Sequence, residues 1–316
     1  MTNFTVNAFA TLEEKIINGL IAGVGFVGNL LVIFVFLKSG QFRRKLNNML
    51  IIHQSIIDLL SSLFMIFNKA FDGMDWIKEP GPFASFFCSF WLSEYLLWML
   101  TALSSFNLEA ITIERYISLV HPLFYRKRVS KRLIWGVIVM LWVVAIVHES
   151  YELGSSVLEG TRCSLWTKWP SKQFHSIFGI YILVVEFLMP ICIMIFCYSR
   201  IVYTVHKGSK SQIGSSIHEK QMSKSRNIVI RTLIFVSFGF FICWGPFAAY
   251  MLLKRLHIVE TYAGTAYQIT GYMAIANSSI NPIIYSFSHT LFRKEMKKIF
   301  TNGGNQIQST DNEINH

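Results

Sequence analysis

Charge is scarce in this chain: Asp, Glu, Lys and Arg make up 15% of its 316 residues, while hydrophobic residues make up 53%. So few charged side chains exclude a soluble protein built on one core and suit a chain dissolved largely in lipid. There is no Walker, dinucleotide or metal-ligand spacing, and the histidines are scattered. That argues against an intramembrane enzyme, which needs a nucleophile with its base or a metal cluster. The lack of an internal repeat, and of a file of polar residues through the spans, argues against a transporter or channel. No basic soluble domain exists, so the net charge of +11 reads as topology plus attraction to anionic membrane lipid or an acidic cytosolic partner. Nucleic acid is excluded as a partner. Residues 1–15 are polar and acidic without a basic start, so the first apolar span is expected to act as its own insertion signal.

What is present is a series of seven apolar stretches, approximately 16–37, 48–70, 84–113, 133–153, 174–199, 228–253 and 262–287, each long enough to cross a bilayer. The predicted fold is an all-α membrane protein, a seven-transmembrane helix bundle with its two ends on opposite sides. Of the 29 Lys and Arg, 20 fall in 38–46, 119–132, 200–231 and 288–316, which makes that side cytoplasmic. The expected organisation is an extracellular tail (1–15), a membrane domain (16–300) and a disordered cytoplasmic tail (301–316), in the plasma membrane. Residues 206–226 read as a mobile cytoplasmic loop. Residues 287–300 alternate Phe, Leu and Ile with Arg and Lys at helical spacing, as in a short amphipathic helix lying on the inner membrane surface. With the amino terminus outside, Asn3-Phe4-Thr5 is a usable glycosylation sequon. Asn277-Ser278-Ser279 also matches, but lies within a span. Cys192, Cys197 and Cys243 lie within spans and read as packing residues. Cys88 and Cys163 lie on the oxidising side, and a disulfide between them is expected, pinning the second outer loop over the bundle mouth.

Polar groups inside lipid spans are costly, so each is a candidate. Asp58 sits midway along span two, with Asn29, Ser104, Asn277, Ser278 and Asn281 at comparable depth; together they are suited to a small hard cation, or simply to helix packing. Glu114-Arg115-Tyr116 closes span three with an adjacent acid and arginine, either a latch or an ordinary interfacial pair. Cys243-Trp244-Gly245-Pro246 and Asn281-Pro282-Ile283-Ile284-Tyr285 each place a proline inside a span. Such a proline bends the helix and frees a carbonyl one turn earlier, which needs a nearby polar group such as Asn281. The bends serve either as hinges or as packing kinks. His53 and His148, isolated on their spans, read as packing or interfacial residues.

These residues carry a resemblance. From about Asn18 to Phe300 the chain resembles the rhodopsin-like (class A) G-protein-coupled receptors. The resemblance rests on Gly28-Asn29 in span one, Leu46 through Leu60 with Asn48 and Asp58 in span two, and Glu114-Arg115-Tyr116 in span three. It continues with Trp142 in span four, Pro190 with Tyr198 in span five, Phe240 and Cys243 to Pro246 in span six, and Asn281 to Tyr285 with Phe292-Arg293 at the end. The resemblance implies signalling rather than catalysis. An extracellular ligand would shift Trp244 and Phe240, swing span six outward about Pro246 and open a cytoplasmic cleft for a heterotrimeric G protein. Arg115, Tyr198 and Tyr285 would rearrange to hold the open state. It also implies arrestin and kinases as further partners, no required cofactor, and a sodium ion held by Asp58, Ser104 and Asn277 as an allosteric ligand.

Several positions depart from the family pattern. Arg226 stands where many members carry an acid facing the triplet arginine, which predicts ligand-independent activity with Glu114 as the main restraint. Ser105 stands where a bulky aliphatic residue is frequent. The Cys88-to-Arg115 spacing is two residues longer than usual, so the amine-binding Asp of that family falls at Leu97 or Tyr95, and a typical amine receptor is disfavoured. Residues 262–287 contain no lysine, which excludes covalent retinal at its usual place. No cysteine follows Phe300, which argues against palmitoylation there. The mouth is instead rich in acids, Glu94, Glu149, Glu152 and Glu186, with aromatic Trp98, Phe247, Tyr250, Tyr267 and Tyr272 suited to a cation-π contact or a peptide side chain. The expected ligand-binding residues are Glu94, Leu97, Trp98, Thr101, Glu186, Trp244, Phe247, Tyr250, Gln268 and Tyr272. Glu186 is the leading partner for a cationic group on a small molecule or peptide.

Overall fold

The computed structural model describes residues 12–39, 46–70, 77–165, 168–210, 217–259, 264–288, 292–299 and 301. Asn3, most of the two tails and the junction 211–216 lie outside the described residues. Seven long helical spans run along the chain. Span one is Leu12–Lys38 and span two Asn47–Ala70. Span three is built from Pro82–Phe87, a wider π turn Cys88–Leu92, and Tyr95–Val120. Span four is Lys131–Ser155. Span five joins Lys172–Leu183, a second π turn Val184–Leu188, and Met189–Lys210. Span six is Ile217–Arg255 and span seven Thr265–Ser288. A short helix, Pro122–Arg128, follows span three, and residues 292–299 are helical after span seven.

Six of these spans are long and apolar enough to cross a membrane. Span seven is more polar, and the reason is visible: Asn277, Ser278, Ser279 and Asn281 are all buried against the bundle rather than turned to lipid. Elsewhere the outward faces carry large apolar side chains, such as Val24, Val27, Leu30 and Phe34 on span one and Val139, Val143 and Val147 on span four. The inner half is closed by an apolar cluster that includes Phe36, Leu50, Ile111, Ile201, Phe240, Tyr285 and Phe292. Phe292 is buried while Arg293, Lys294, Lys297 and Lys298 are exposed, the two-faced pattern expected of a surface helix.

Three sequence expectations change. The segment 206–226 is largely helical: span five runs on to Lys210 and span six begins at Ile217. Its Lys, Gln, Glu and Met residues are good helix formers, and helices that project past the membrane need no apolar face. The outer loop after span four holds an antiparallel hairpin, β1 (Val157–Glu159) and β2 (Arg162–Ser164), with Leu158 opposite Cys163. Its turn uses Gly160 at φ +64, a conformation costly for residues with a Cβ. Cys163 on β2 is bonded to Cys88, so the hairpin is tied to the outer end of span three. Finally, the two extra residues of span three have a location. The π turn ending at Leu92 and a break at Glu94, which is left-handed at φ 58, separate Cys88 from an uninterrupted helix beginning at Tyr95. Counting back from Arg115 along that helix is therefore the sound register, and the position falls on Leu97.

Candidate functional site

Three polar layers are stacked along the bundle. In the middle, the proline of span seven sets the first requirement. Pro282 lacks an N–H, which leaves the Ser278 carbonyl without its intrahelical donor. That carbonyl accepts a hydrogen bond from Asn29 Nδ2 at 2.9 Å, and the same amide donates to the Gly25 carbonyl at 2.9 Å. The group that satisfies the freed carbonyl is thus Asn29 on span one, not Asn281. Gly28 permits the approach, because a Cβ there would meet Pro282 Cβ at 2.9 Å.

Asn281 turns instead to Asp58, whose Oδ2 accepts from its Nδ2 at 2.9 Å. Asp58 also accepts from Ser104 Oγ at 3.0 Å and from Gln54 Nε2 at 3.3 Å on each oxygen. Gln54 is oriented by a chain of donors that starts on span four. Trp142 Nε1 donates to His53 Nε2 at 3.0 Å, which leaves the ring proton on Nδ1, 2.8 Å from Asn107 Oδ1. Asn107 Nδ2 then donates to the Leu50 carbonyl at 3.0 Å and to Gln54 Oε1 at 2.8 Å. With its oxygen occupied, Gln54 turns its NH₂ to Ser104 and Asp58. His53 is therefore a link between spans, not an isolated packing residue.

This arrangement does not fit the expected sodium site. A hard cation needs oxygen lone pairs converging on it, and Asp58 here faces the hydrogens of two amides, Gln54 and Asn281, and of the hydroxyls of Ser104 and Ser278. Asn277 is buried, but Gln54 and Asn281, rather than Asn277, join Asp58 and Ser104.

The outer layer is a cleft lined by side chains of spans three to six. Of the expected pocket residues it brings together Trp98, Glu186, Trp244 and Phe247, along with Glu149 and Glu152. Trp98 stacks on Phe247 with centroids 5.2 Å apart and planes at 9°, and Phe247 meets Trp244 edge-on at 5.9 Å. Trp244 in turn lies 6.3 Å from Phe240, so the aromatic floor continues into the inner core. The indole Nε1 atoms of Trp98 and Trp244 and Oε2 of Glu149 are buried without a hydrogen-bond partner in the protein. Glu186 is not unclaimed, since His148 Nε2 lies 2.9 Å from its Oε1.

The other expected pocket residues lie elsewhere. Glu94 forms an ion pair with Lys69 at 2.7 Å. Gln268 is exposed and bonded to Glu14. Leu97 is buried, and Thr101 spends its hydroxyl on the Leu97 carbonyl at 2.6 Å. Tyr250 packs on Tyr267 at 5.8 Å, and neither it nor Tyr272 is among the lining residues. Arg255 was not anticipated. It lines the cleft and its guanidinium lies 5.4 to 5.7 Å from the rings of Trp169, Phe178 and Tyr151. Its position in the last helical turn of span six reads from sequence as an interfacial cation; only the outer loop residue Trp169 reveals the cage.

At the inner end Arg115 Nε lies 3.5 Å from Glu114 Oε2, both side chains buried. Tyr125, on the short helix after span three, is held beside Glu114; burial and that carboxylate push its phenol above the usual tyrosine range. Tyr198 accepts from Ser237 Oγ at 3.1 Å and shares a hydrogen bond with Thr112 at 3.1 Å, so one phenol joins spans three, five and six. Ser105 is buried with no partner for its hydroxyl. Tyr116 points away, its phenol 3.3 Å from His121 Nε2.

A sealed polar middle between an outward-opening aromatic cleft and a closed arginine pair defines a class, the seven-helix membrane receptors. The chain belongs to the 7 transmembrane receptor (rhodopsin family), whose model matches residues 28–285, a family of G-protein-coupled receptors and not of enzymes. It is 29% identical over 302 residues to galanin receptor type 1 of Mus musculus, covering 93% of this chain and 82% of that one. It is 28% identical over 291 residues to somatostatin receptor type 4 of Rattus norvegicus, covering 90% and 71%. To the tachykinin-like peptides receptor 99D of Drosophila melanogaster it is 28% identical over 290 residues, covering 86% of this chain but only 54% of that receptor, so the chain spans about half the length of that relative.

Proposed function

We propose that this chain is a plasma-membrane receptor for an extracellular peptide, that its amino terminus is extracellular, and that it activates heterotrimeric G proteins by outward movement of span six. The observation that carries this reading is the outer cleft: a stacked aromatic floor under a wall holding Glu149, Glu152 and Glu186. An aromatic side chain of a peptide suits the Trp98 and Phe247 face, and a basic side chain or amino terminus suits the acids. The names of relatives, which include receptors for galanin, tachykinin-like peptides and somatostatin, support the same ligand class.

Binding is read out through contact. Phe247 follows Pro246 directly and Trp244 stands two residues before it, and both line the cleft, so a ligand that moves them bends span six at its weakest point. That motion separates Ser237 from Tyr198 and frees Arg115 from Glu114. Thermodynamically the ligand biases a two-state bundle by binding the open form better. The absence of an acid at Arg226 leaves the closed form with one restraint fewer, and ligand-independent exchange follows. Arrestin and kinases are cytoplasmic partners in this reading, and anionic lipid contacts the basic face of residues 292–299.

The test is nucleotide exchange on heterotrimeric G proteins in membranes that carry the chain, challenged with galanin-, tachykinin-, somatostatin- and neuropeptide FF-type peptides beside amines and lipids. A peptide response that disappears in Phe247→Ala at equal surface expression is expected. A response to amines or lipids alone would sink the peptide reading.

A further inference from the structure

We propose that His148, Glu149 and Glu186 form a binding site for a divalent transition-metal ion of the zinc class in the outer half of the bundle, joining span four to span five. His148 and Glu149 are neighbours on span four. Glu186 comes from the π turn Val184–Leu188 of span five, where one extra residue per turn shifts the register of the side chains that follow. His148 Nε2 lies 2.9 Å from Glu186 Oε1 and 3.8 Å from Glu149 Oε1. The three ligand atoms lie within 4.8 Å of one another. A tetrahedral zinc ion with bonds near 2.1 Å holds its ligand atoms about 3.4 Å apart, so this triangle already brackets the required size.

The chemistry agrees with the geometry. One imidazole nitrogen and two carboxylates form a borderline donor set that favours zinc over calcium or magnesium, which take six or more oxygens. Two carboxylates and a neutral imidazole also match a doubly charged cation. All three side chains are close to fully buried, at 4%, 3% and 13% exposure, and Oε2 of Glu149 has no partner in the protein. A buried carboxylate oxygen without a donor is costly, and a cation beside it removes that cost. The imidazole is already aimed: Tyr181 OH lies 3.1 Å from Nδ1, leaving Nε2 toward the acids. Such an orienting contact is the usual companion of a metal-bound histidine. On binding, the metal replaces the proton on Nε2, and the ring proton resides on Nδ1, donated to the Tyr181 oxygen.

Glu149 and Glu186 line the outer cleft, so the fourth coordination position opens into it, toward water or a donor on a bound ligand. Arg255 lines the same cleft, and its charge works against a second cation there. A bound ion would cancel the acidic wall that the peptide reading assigns to a basic group, and would staple spans four and five. The site does not depend on that reading, since it rests on the three side chains alone.

The experiment uses the full chain, purified in lipid nanodiscs and cleared of metal with a chelator. Cobalt(II) is titrated while visible absorption is recorded, zinc is then added, and thermal unfolding is followed with and without zinc. The expected result is one cobalt ion per chain with intense visible bands, displaced by micromolar zinc, and a higher unfolding temperature with zinc. His148→Gln, Glu149→Gln and Glu186→Gln each abolish the bands and the shift, whereas His121→Gln and His257→Gln keep both. Wild-type protein without cobalt bands, bands that survive in whichever triad variants fold, or equal displacement by magnesium or calcium would each overturn the proposal.

Discussion

The middle and the outer third of this bundle are both rich in polar groups, yet they differ in whether those groups have partners. Around Asp58 every donor described is spent: Trp142, His53, Asn107, Gln54, Ser104 and Asn281 form one directed chain across spans four, two, three and seven. In the outer cleft, the indoles of Trp98 and Trp244 and one oxygen of Glu149 are buried and unclaimed. The contrast teaches that polar groups satisfied within the protein hold helices in register, whereas unsatisfied ones mark where something from outside completes the structure. Breaking the first should cost stability; breaking the second should cost response.

The largest loss is expected at the tie between the two outer elements. Cys163→Ser removes a bond that closes 75 residues and should cost about 2–5 kcal/mol, read as loss of surface expression and a lower unfolding temperature. Next is Asn29→Ala, which strands the Ser278 carbonyl in the membrane and should cost about 1–3 kcal/mol, again read by unfolding temperature. Asn29→Ala as stable as wild type would mean that the middle layer is not sealed by these bonds. Gly28→Ala, forced against Pro282, should cost about 1 kcal/mol or somewhat more, with unfolding as the readout.

On the other side of the comparison, Glu149→Gln should leave unfolding temperature within experimental error of wild type while shifting peptide potency about tenfold, equal to about 1.4 kcal/mol. The smallest effect is a null one. Replacing sodium by choline should change neither unfolding temperature nor agonist potency, because the Gln54 amide stands before Asp58. Sodium sensitivity in the wild type would contradict that geometry, and sensitivity appearing only in Gln54→Leu would sharpen it.

The seven spans and the Cys88 to Cys163 bond were readable in the sequence, because hydrophobic length and the placement of cysteines at span ends are local properties of the chain. The prolines inside spans six and seven and the buried Glu114-Arg115 pair were readable as well, since such residues are rare in lipid. What could not be read was rotation. Whether Gln54 or Asn277 reaches Asp58 depends on how spans two and seven turn about their axes, and span two hides that information because His53, Gln54 and Asp58 are all buried. Part of the outer pocket was missed for a related reason. Glu94 sits at a left-handed break and pairs with Lys69, and Gln268 is exposed and bonded to Glu14. The π turns and the hairpin, which redirect Glu186 and bring Trp169 to Arg255, have no periodicity that marks them in advance.

In the proposed mechanism a ligand in the outer cleft acts through Trp98, Phe247 and Trp244 on the bend at Pro246. The most direct measurement is the distance between spin labels placed at the cytoplasmic ends of spans three and six, taken with and without an activating peptide in wild type and in Phe247→Ala. A ligand-driven increase is expected in the wild type and none in the variant, while peptide still binds. An equal increase in both would show that the signal reaches span six by another route.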